Sequence, residues 1–479
     1  MSRAPGVPAS GGTPPETAQD GRSETSGSGR GAGPARVLIV AGEASGDLYA
    51  GLLMRAMAEA GAAGPRIAAA AAEEPAAGPG RAVEFTGVGG PAMRAAGLRP
   101  LGDASVLGVT GVLEVAAAFG AIWRAYGLAR AALRSAAGRL DLVILIDYPD
   151  FNLRLARHAR RAGVPVLYFI SPQVWAWRSG RVRQIARVVD RMLVILPFEE
   201  EFYRRAGVPV RFVGHPLLDL VGATRTRDQV LRPLGLDSRR PTVALLPGSR
   251  RNEIDAHLPA MLGAGRLLRD EFRDLQFVLP IAPTLDAAAI AGRVRRGSGP
   301  AEGDREAGSG RGAAGRAAAF PGWPPVTVTE GRYDVVAAAD AAVVASGTAT
   351  LETALLGVPM VIVYRMNPLT YFLARAVSRV PHIGMANLIA GERVVPELVQ
   401  GACSPAAIAR ELRAILVDPK AAERMRAGLA GVRRRLGEPG AIGRVAAAAW
   451  DMIAGRPEPP GGSPPGGVPP GGVTAGAGS

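Results

Sequence analysis

Cysteine occurs once in 479 residues, at Cys403, which excludes a disulfide framework and a cysteine-built metal site and fits a reducing compartment. Four histidines are too few for a histidine-rich metal centre. Aromatic residues form 5% of the chain, short of the stacking platforms a single-strand nucleic-acid binder needs. No uninterrupted run of about 18 apolar residues is present, so no membrane span is expected. The N-terminus lacks the basic-then-apolar order of a secretory signal. These absences together predict a cytoplasmic protein, with contact to the inner membrane surface as its one membrane option.

What is present is apolar and basic. Hydrophobic residues make up 48% of the chain, and 56 Lys+Arg against 42 Asp+Glu give a formal charge of +14. That balance favours anionic partners: nucleic acid, phosphorylated metabolites or an acidic membrane surface. The excess is mostly arginine, beside abundant Ala, Gly and Pro, a pattern that a GC-rich genome also produces.

Residues 1–34 and 456–479 are rich in Gly, Ser and Pro without periodicity and read as disordered tails; 287–324 reads as an exposed low-complexity insertion. Between them, short Val/Ile/Leu runs alternate with helical patterns. Strands are expected at 36–41, 142–146, 166–170, 192–196 and 210–213, and again at 242–246, 276–279, 326–329, 342–345 and 360–364. Near-continuous apolar strands separated by helices mean parallel sheets covered on both faces. The chain therefore divides into two doubly wound α/β halves, 35–220 and 221–403, with a ligand cleft between them. Helices over 404–455 are expected to pack across both.

Several strand ends carry chemistry. The turn Gly42-Glu43-Ala44-Ser45-Gly46-Asp47 allows close backbone approach, yet it is neither a dinucleotide fingerprint nor a P-loop. Gly87–Met93 is a second glycine-rich turn, and Leu107–Glu114, with Leu107 and Val109, opens a helix whose apolar side suits an acyl chain. Asp147 ends the strand LVILI, where partial desolvation would raise its pKa and suit a general base. Asp150 has a structural explanation as the cap of the following helix. Trp175 and Trp177, in Ile170–Arg178, make an unusually heavy loop for a cleft wall.

The second half holds two phosphate-suited turns. In Leu246–Arg250, Gly248 permits close approach, Ser249 donates and Arg250 can grip a phosphate with two bonds. In Ala342–Pro359, a strand empties through Ser346, Gly347 and Thr348 into a helix N-terminus, a natural anion site, and Glu352 is placed to take a ribose. Farther on, Arg365 follows a strand. The segment Tyr371–Val380 mixes Arg375 and Arg379 with Phe372, Leu373 and Val377, a mixture that suits a membrane-surface helix but more often marks a helix simply half-buried in the fold.

Taken in order, GEASGD, GVGGPAM, DYPDFN, SPQVWAWR, LPFE, VGHPL, LPGSR, SGTATLE, YRMNPLT and NLIAGE resemble the lipid-A-disaccharide synthases over roughly residues 36–450. No single motif decides this; ten in register are specific. The resemblance implies a GT-B glycosyltransferase fold, two Rossmann-like domains facing across a cleft. It implies condensation of UDP-2,3-diacylglucosamine with 2,3-diacylglucosamine 1-phosphate, with inversion, no cofactor and no required metal. On that basis Asp147 and Asp150 are the catalytic candidates. Gly248, Ser249, Arg250, Ser346, Gly347, Thr348 and Glu352 are expected to hold UDP. Gly42, Glu43, Ser45, Asp47, Arg365, Asn387 and Glu392 fall near donor sugar or acceptor, and Leu107, Val109, Trp175 and Trp177 form the acyl wall. Partners implied are the two lipid substrates, the inner-membrane surface and a second copy of the chain as a homodimer, with no nucleic acid. One departure is Met385-Ala386-Asn387, where the family usually has proline before the asparagine. Rival readings are a UDP-GlcNAc 2-epimerase, another UDP-sugar transferase and a nucleic-acid binder.

Overall fold

The computed structural model describes residues 33–63, 80–101, 112–135, 139–177, 179–281, 290–292, 317–320, 323–329, 331–367, 371–372 and 381–456. Two seven-stranded sheets organise it. The first contains β1 (Ala35–Ala41), β2 (Val83–Val88), β3 (Arg99–Pro100), β4 (Leu142–Ile146), β5 (Val166–Phe169), β6 (Arg191–Val194) and β7 (Val210–Phe212). The second contains β8 (Thr242–Leu246), β9 (Gln276–Pro280), β10 (Ala317–Phe320), β11 (Trp323–Thr329), β12 (Ala341–Ala345), β13 (Met360–Tyr364) and β14 (Glu397–Val399). Their orders are β3-β2-β1-β4-β5-β6-β7 and β10-β11-β9-β8-β12-β13-β14, parallel throughout except that β10 runs antiparallel to β11.

Side-chain alternation explains why these strands read as unbroken apolar runs. Val37 and Ile39 of β1, with Leu142 and Ile144 of β4, face one core; Leu38, Val40, Val143 and Leu145 face the core on the other side. β8 does the same, with Val243 and Leu245 on one face and Ala244 and Leu246 on the other. Each sheet thus has two buried faces and needs apolar residues at every position.

The C-terminal helices join the two sheets. Helix Pro419–Arg435 lies against helices Thr348–Leu355 and Met385–Ala390 of the second half. Helix Ala441–Ile453 returns to the first and packs on Ala44–Ala63. There the Trp450 indole N–H donates to the Met57 carbonyl at 3.1 Å, and Arg191 donates to the Ala448 carbonyl at 3.2 Å. One apolar cluster accordingly contains Leu53 and Met57 of the first half, Leu351, Leu355 and Ile389 of the second, and Val445 and Ala449 of the final helix.

Four strands escape the sequence reading: β2, β3, β10 and β14. All four lie at or next to a sheet edge, and β2 runs into glycine residues that look like a turn. The stretch 287–324 is also narrower as an insertion than expected. Ile290 is buried in the second core, and Ala317–Phe320 pairs with β11, so both flanks belong to the fold. The tails and most of Tyr371–Val380 lie outside the described residues.

The Trp450 anchor is testable. Trp450→Ala removes a buried indole and its hydrogen bond, and should lower stability by about 3–5 kcal/mol in urea unfolding.

Candidate active site

In both sheets the strand order reverses once, between β1 and β4 and between β8 and β12. Adjacent parallel strands with connections leaving in opposite directions part their loops at the carboxyl end, and ligands bind in that crevice. The turns after β1 and β4 are GEASGD and DYPDFN; those after β8 and β12 are LPGSR and SGTAT. These four turns, all singled out in the sequence, therefore fall at the two reversal points. Tyr49, on the helix that follows GEASGD, joins the apolar cluster against which Tyr333 packs, and it feels the charge of Arg332. The two reversal points are thus close to one another.

At the first, the chain makes an uncommon elbow. Asp147 and Tyr148 both have φ of 47°, a left-handed conformation costly for residues with a Cβ. The elbow is braced from below. The Asp147 carbonyl accepts from the Tyr168 hydroxyl at 2.6 Å and from the Asn152 amide at 2.7 Å, and that amide also donates to the Ile146 carbonyl. The Tyr148 ring lies over Gly42, where an added Cβ would sit 2.4 Å from ring carbon Cγ. Burial, and next the charge of Glu43, push the Asp147 carboxyl up to about 6. A carboxyl poised there accepts a proton readily near neutral pH.

Three expectations change here. Asp150 is not the cap of helix Pro149–Arg161: Tyr148 occupies that position, and the exposed Asp150 carboxylate pairs with Arg181 at 2.8 Å. It is turned to the surface. Asp47 is not free to meet a sugar either. Its buried carboxylate accepts from the backbone N–H groups of Gly90, Ala92 and Met93 at 2.6, 2.8 and 3.1 Å, capping helix Pro91–Ala95 and tying the two glycine-rich turns together. Helix Ala44–Ala63 begins earlier than expected, so Ser45 and Asp47 lie in its first turn, with Glu43 and Ser45 exposed.

The second reversal point is also more tightly wired than its motifs suggest. Glu253 accepts from the N–H groups of Ser249 and Arg250 at 2.9 and 3.3 Å, and its side chain fills the space beside Gly248, whose φ is 130°. The Arg250 guanidinium is half exposed, 3.6 Å from Glu253, and remains available to an anion. The Ser346 hydroxyl donates to the Ile383 carbonyl at 3.1 Å, so that donor is spent within the protein. Gly347 and Thr348 are exposed at the start of helix Thr348–Leu355, where no side-chain cap is made. Glu352 is buried, ion-paired with Arg332 and within 3.3 Å of the Tyr333 hydroxyl.

Two further candidates spend their hydrogen bonds within the protein. The Arg365 guanidinium donates to the Cys403 carbonyl and its N–H to His257 Nε2 at 2.9 Å, so the residue braces the loop after β13. Asn387 is fully buried and clasps the backbone of Val394 and Val395, while also donating to Glu397 at 2.8 Å. It holds the 391–397 turn, on which Glu392 is exposed. Leu107 and Val109 lie outside the described residues, as does the side chain of Trp177. Trp175 is half-buried, edge-on to Phe198 at 4.9 Å, with its indole N–H donating to Glu199 at 3.0 Å.

Comparison with known proteins now adds to this geometry. The sequence profile described as lipid-A-disaccharide synthetase matches residues 37–291 and 325–435. The chain belongs to the lipid-A-disaccharide synthase family. Its similarity to the Geobacter sulfurreducens lipid-A-disaccharide synthase is 48% identity over 87% of this chain and 97% of that one. For the Myxococcus xanthus lipid-A-disaccharide synthase the figures are 43%, 89% and 99%. Among solved structures, Staphylococcus aureus MnaA with UDP superposes with a TM-score of 0.54 at 11% identity, covering 89% of this chain and 99% of that one. A UDP-glucosyltransferase from Polygonum tinctorium gives a TM-score of 0.53 at 13% identity, with 88% and 99% covered. These likenesses establish the two-domain GT-B fold; the sequence relatives, not the solved structures, carry the enzyme class, which is a glycosyltransferase of lipid A biosynthesis.

Two predictions follow from the elbow. Gly42→Ala should leave the protein folded and reduce turnover at least tenfold, because the new methyl displaces the Tyr148 ring; melting temperature and rate check the two halves of that statement. The folded-state pKa of Asp147 lies above its ordinary 3.8, so its ionised form is disfavoured by the fold. Asp147→Asn should therefore match the wild type in stability below pH 3.8, exceed it increasingly as pH rises to about 6, and keep a constant advantage above that, read as melting temperature against pH.

Proposed function

We propose that the chain transfers a 2,3-diacylglucosamine unit from UDP to the 6-hydroxyl of 2,3-diacylglucosamine 1-phosphate, giving the β-1,6-linked disaccharide 1-phosphate and UDP. The acceptor oxygen attacks the anomeric carbon as the bond to the UDP oxygen breaks, which turns an α linkage into a β linkage. Asp147 takes the hydroxyl proton. The observation that carries this reading is the position of Asp147, raised in pKa on a braced elbow at one reversal point, while a phosphate-suited turn pair occupies the other.

Arg250 and the exposed N-terminus of helix Thr348–Leu355 are the groups suited to the diphosphate, whose charge grows as the bond breaks. Arg332 is placed to yield Glu352 to the ribose. Gly42 and Glu43 border the acceptor side and Trp175 its apolar wall.

Lipid substrates reside in a membrane, and one surface supports peripheral docking there. Trp123 and Leu128 are each 47% exposed on helix Val112–Ser135. Around them, Arg124, Arg130, Arg134, Arg154, Arg157 and Arg161 project from that helix and from Pro149–Arg161, and none of the six forms an ion pair among the described residues. Partial burial, and then Arg130, Arg161, Arg134 and Arg157, hold His158 below the usual histidine range, which marks the positive potential of this face.

The test is UDP release by the purified protein in detergent. The reading expects release only when both diacylated sugars are present; release without an acceptor, or epimerisation of a UDP-sugar, overturns it. Arg250→Ala should raise KM for the UDP donor by about tenfold to a hundredfold, as expected for losing a charge-assisted bond, with acceptor KM little changed.

A further inference from the structure

Helix Pro197–Arg205 sends two side chains, four residues apart and so on one face, into the loop that follows β5. The fully buried Tyr203 donates its hydroxyl to the Pro172 carbonyl at 2.9 Å. Glu199, 2% exposed, receives the Ser171 hydroxyl at 2.6 Å and the Trp175 indole N–H at 3.0 Å on one oxygen, and the Leu196 N–H at 3.2 Å on the other. No ion pair of Glu199 occurs among the described residues, so neutral donors alone serve this carboxylate. Burial pushes it up to about 7, against the pull of those donors.

A buried acid without a counter-cation is a costly way to cap one short helix. What it does beyond capping is hold Ser171 and Trp175 at once. The loop it fixes leaves β5 through Ile170, whose φ is 62°, beside the elbow: the Asp147 N–H donates to the Phe169 carbonyl at 3.2 Å, and Tyr168 of β5 braces the Asp147 carbonyl.

We propose that Glu199 is a positioning residue for the transfer reaction: acting through the Trp175 indole N–H, it sets the aromatic wall beside Asp147 against which the acceptor binds. This rests on the function proposed above. Glu199→Gln keeps one acceptor oxygen but turns an amide N–H₂ towards a donor, so the loop is loosened without emptying the site. Trp175→Phe keeps the ring and removes the donor.

The experiment is steady-state kinetics in detergent with both lipid substrates, for Glu199→Gln, Trp175→Phe and the double variant, each with a melting curve. Each single variant should raise acceptor KM about threefold to tenfold, the worth of one neutral hydrogen bond, with donor KM unchanged. The double variant should be no worse than the poorer single, as for residues acting as a unit. Unchanged acceptor KM in Glu199→Gln, equal effects on both KM values, or fully multiplicative effects overturn the proposal. The emission of Trp175, taken as protein minus Trp175→Phe, supplies a readout independent of turnover. It should shift to the red in the Glu199→Gln background, and an unshifted difference overturns the proposal. If the wild type releases no UDP at all, the proposed function fails, while the emission result still decides whether Glu199 sets Trp175.

Discussion

Two neighbouring parallel strands whose connections run to opposite sides cannot close a loop over their shared carboxyl end, and this gap is the constraint on which the rest depends. It occurs at β1/β4 and again at β8/β12. Everything the chemistry needs is then a matter of what the first residues beyond those four strands are. At one gap they are a glycine turn and an acid on an elbow; at the other they are two turns with an arginine and an uncapped helix start. The apolar cluster shared by helices Ala44–Ala63, Thr348–Leu355 and Ala441–Ile453 keeps the two gaps in one molecule.

The first gap is dominated by strain that the surroundings hold in place. Left-handed φ at both Asp147 and Tyr148 is unfavourable by itself. Tyr168, Asn152 and the flat space over Gly42 together leave the chain no better conformation. The same bend withdraws the carboxyl from water and brings it within the field of Glu43, so backbone strain and raised pKa have one origin. The second gap works differently. Its resident side chains, Glu253 on the Ser249 turn and Arg332 on Glu352, occupy the groups that an anion and a ribose would engage.

Sequence reasoning located the four turns because glycine and acid at the end of an apolar strand are local signals. The buried strands LVILI, TVALL and MVIVY were read to the residue for the same reason: a run buried on both faces needs no partner to be recognised. What it could not see was where polar side chains spend their hydrogen bonds. Asp47, Asn387, Arg365 and Ser346 all carry the right chemistry for sugars and phosphates. Asp47, Arg365 and Ser346 instead satisfy backbone groups on segments distant in sequence, as Asp47 does at Gly90, and Asn387 satisfies those of a turn seven and eight residues on. Conversely, Glu199 and Tyr168 sit in plain helical and strand patterns, and their partners 28 and 21 residues away gave no local sign. Short edge strands such as β3 and β14 were missed because they bury too little to leave a pattern.

The most direct test of the central claim, that Asp147 on its elbow is the base, is the pH dependence of kcat/KM for the acceptor. With Asp147 ionised as the active form, the rate should rise through a single limb centred near pH 6. Glu43→Gln removes the like charge that helps raise that carboxyl, so the limb should move to lower pH. A profile flat between about pH 5 and 7 in the wild type, or a limb that stays in place in Glu43→Gln, would contradict the account.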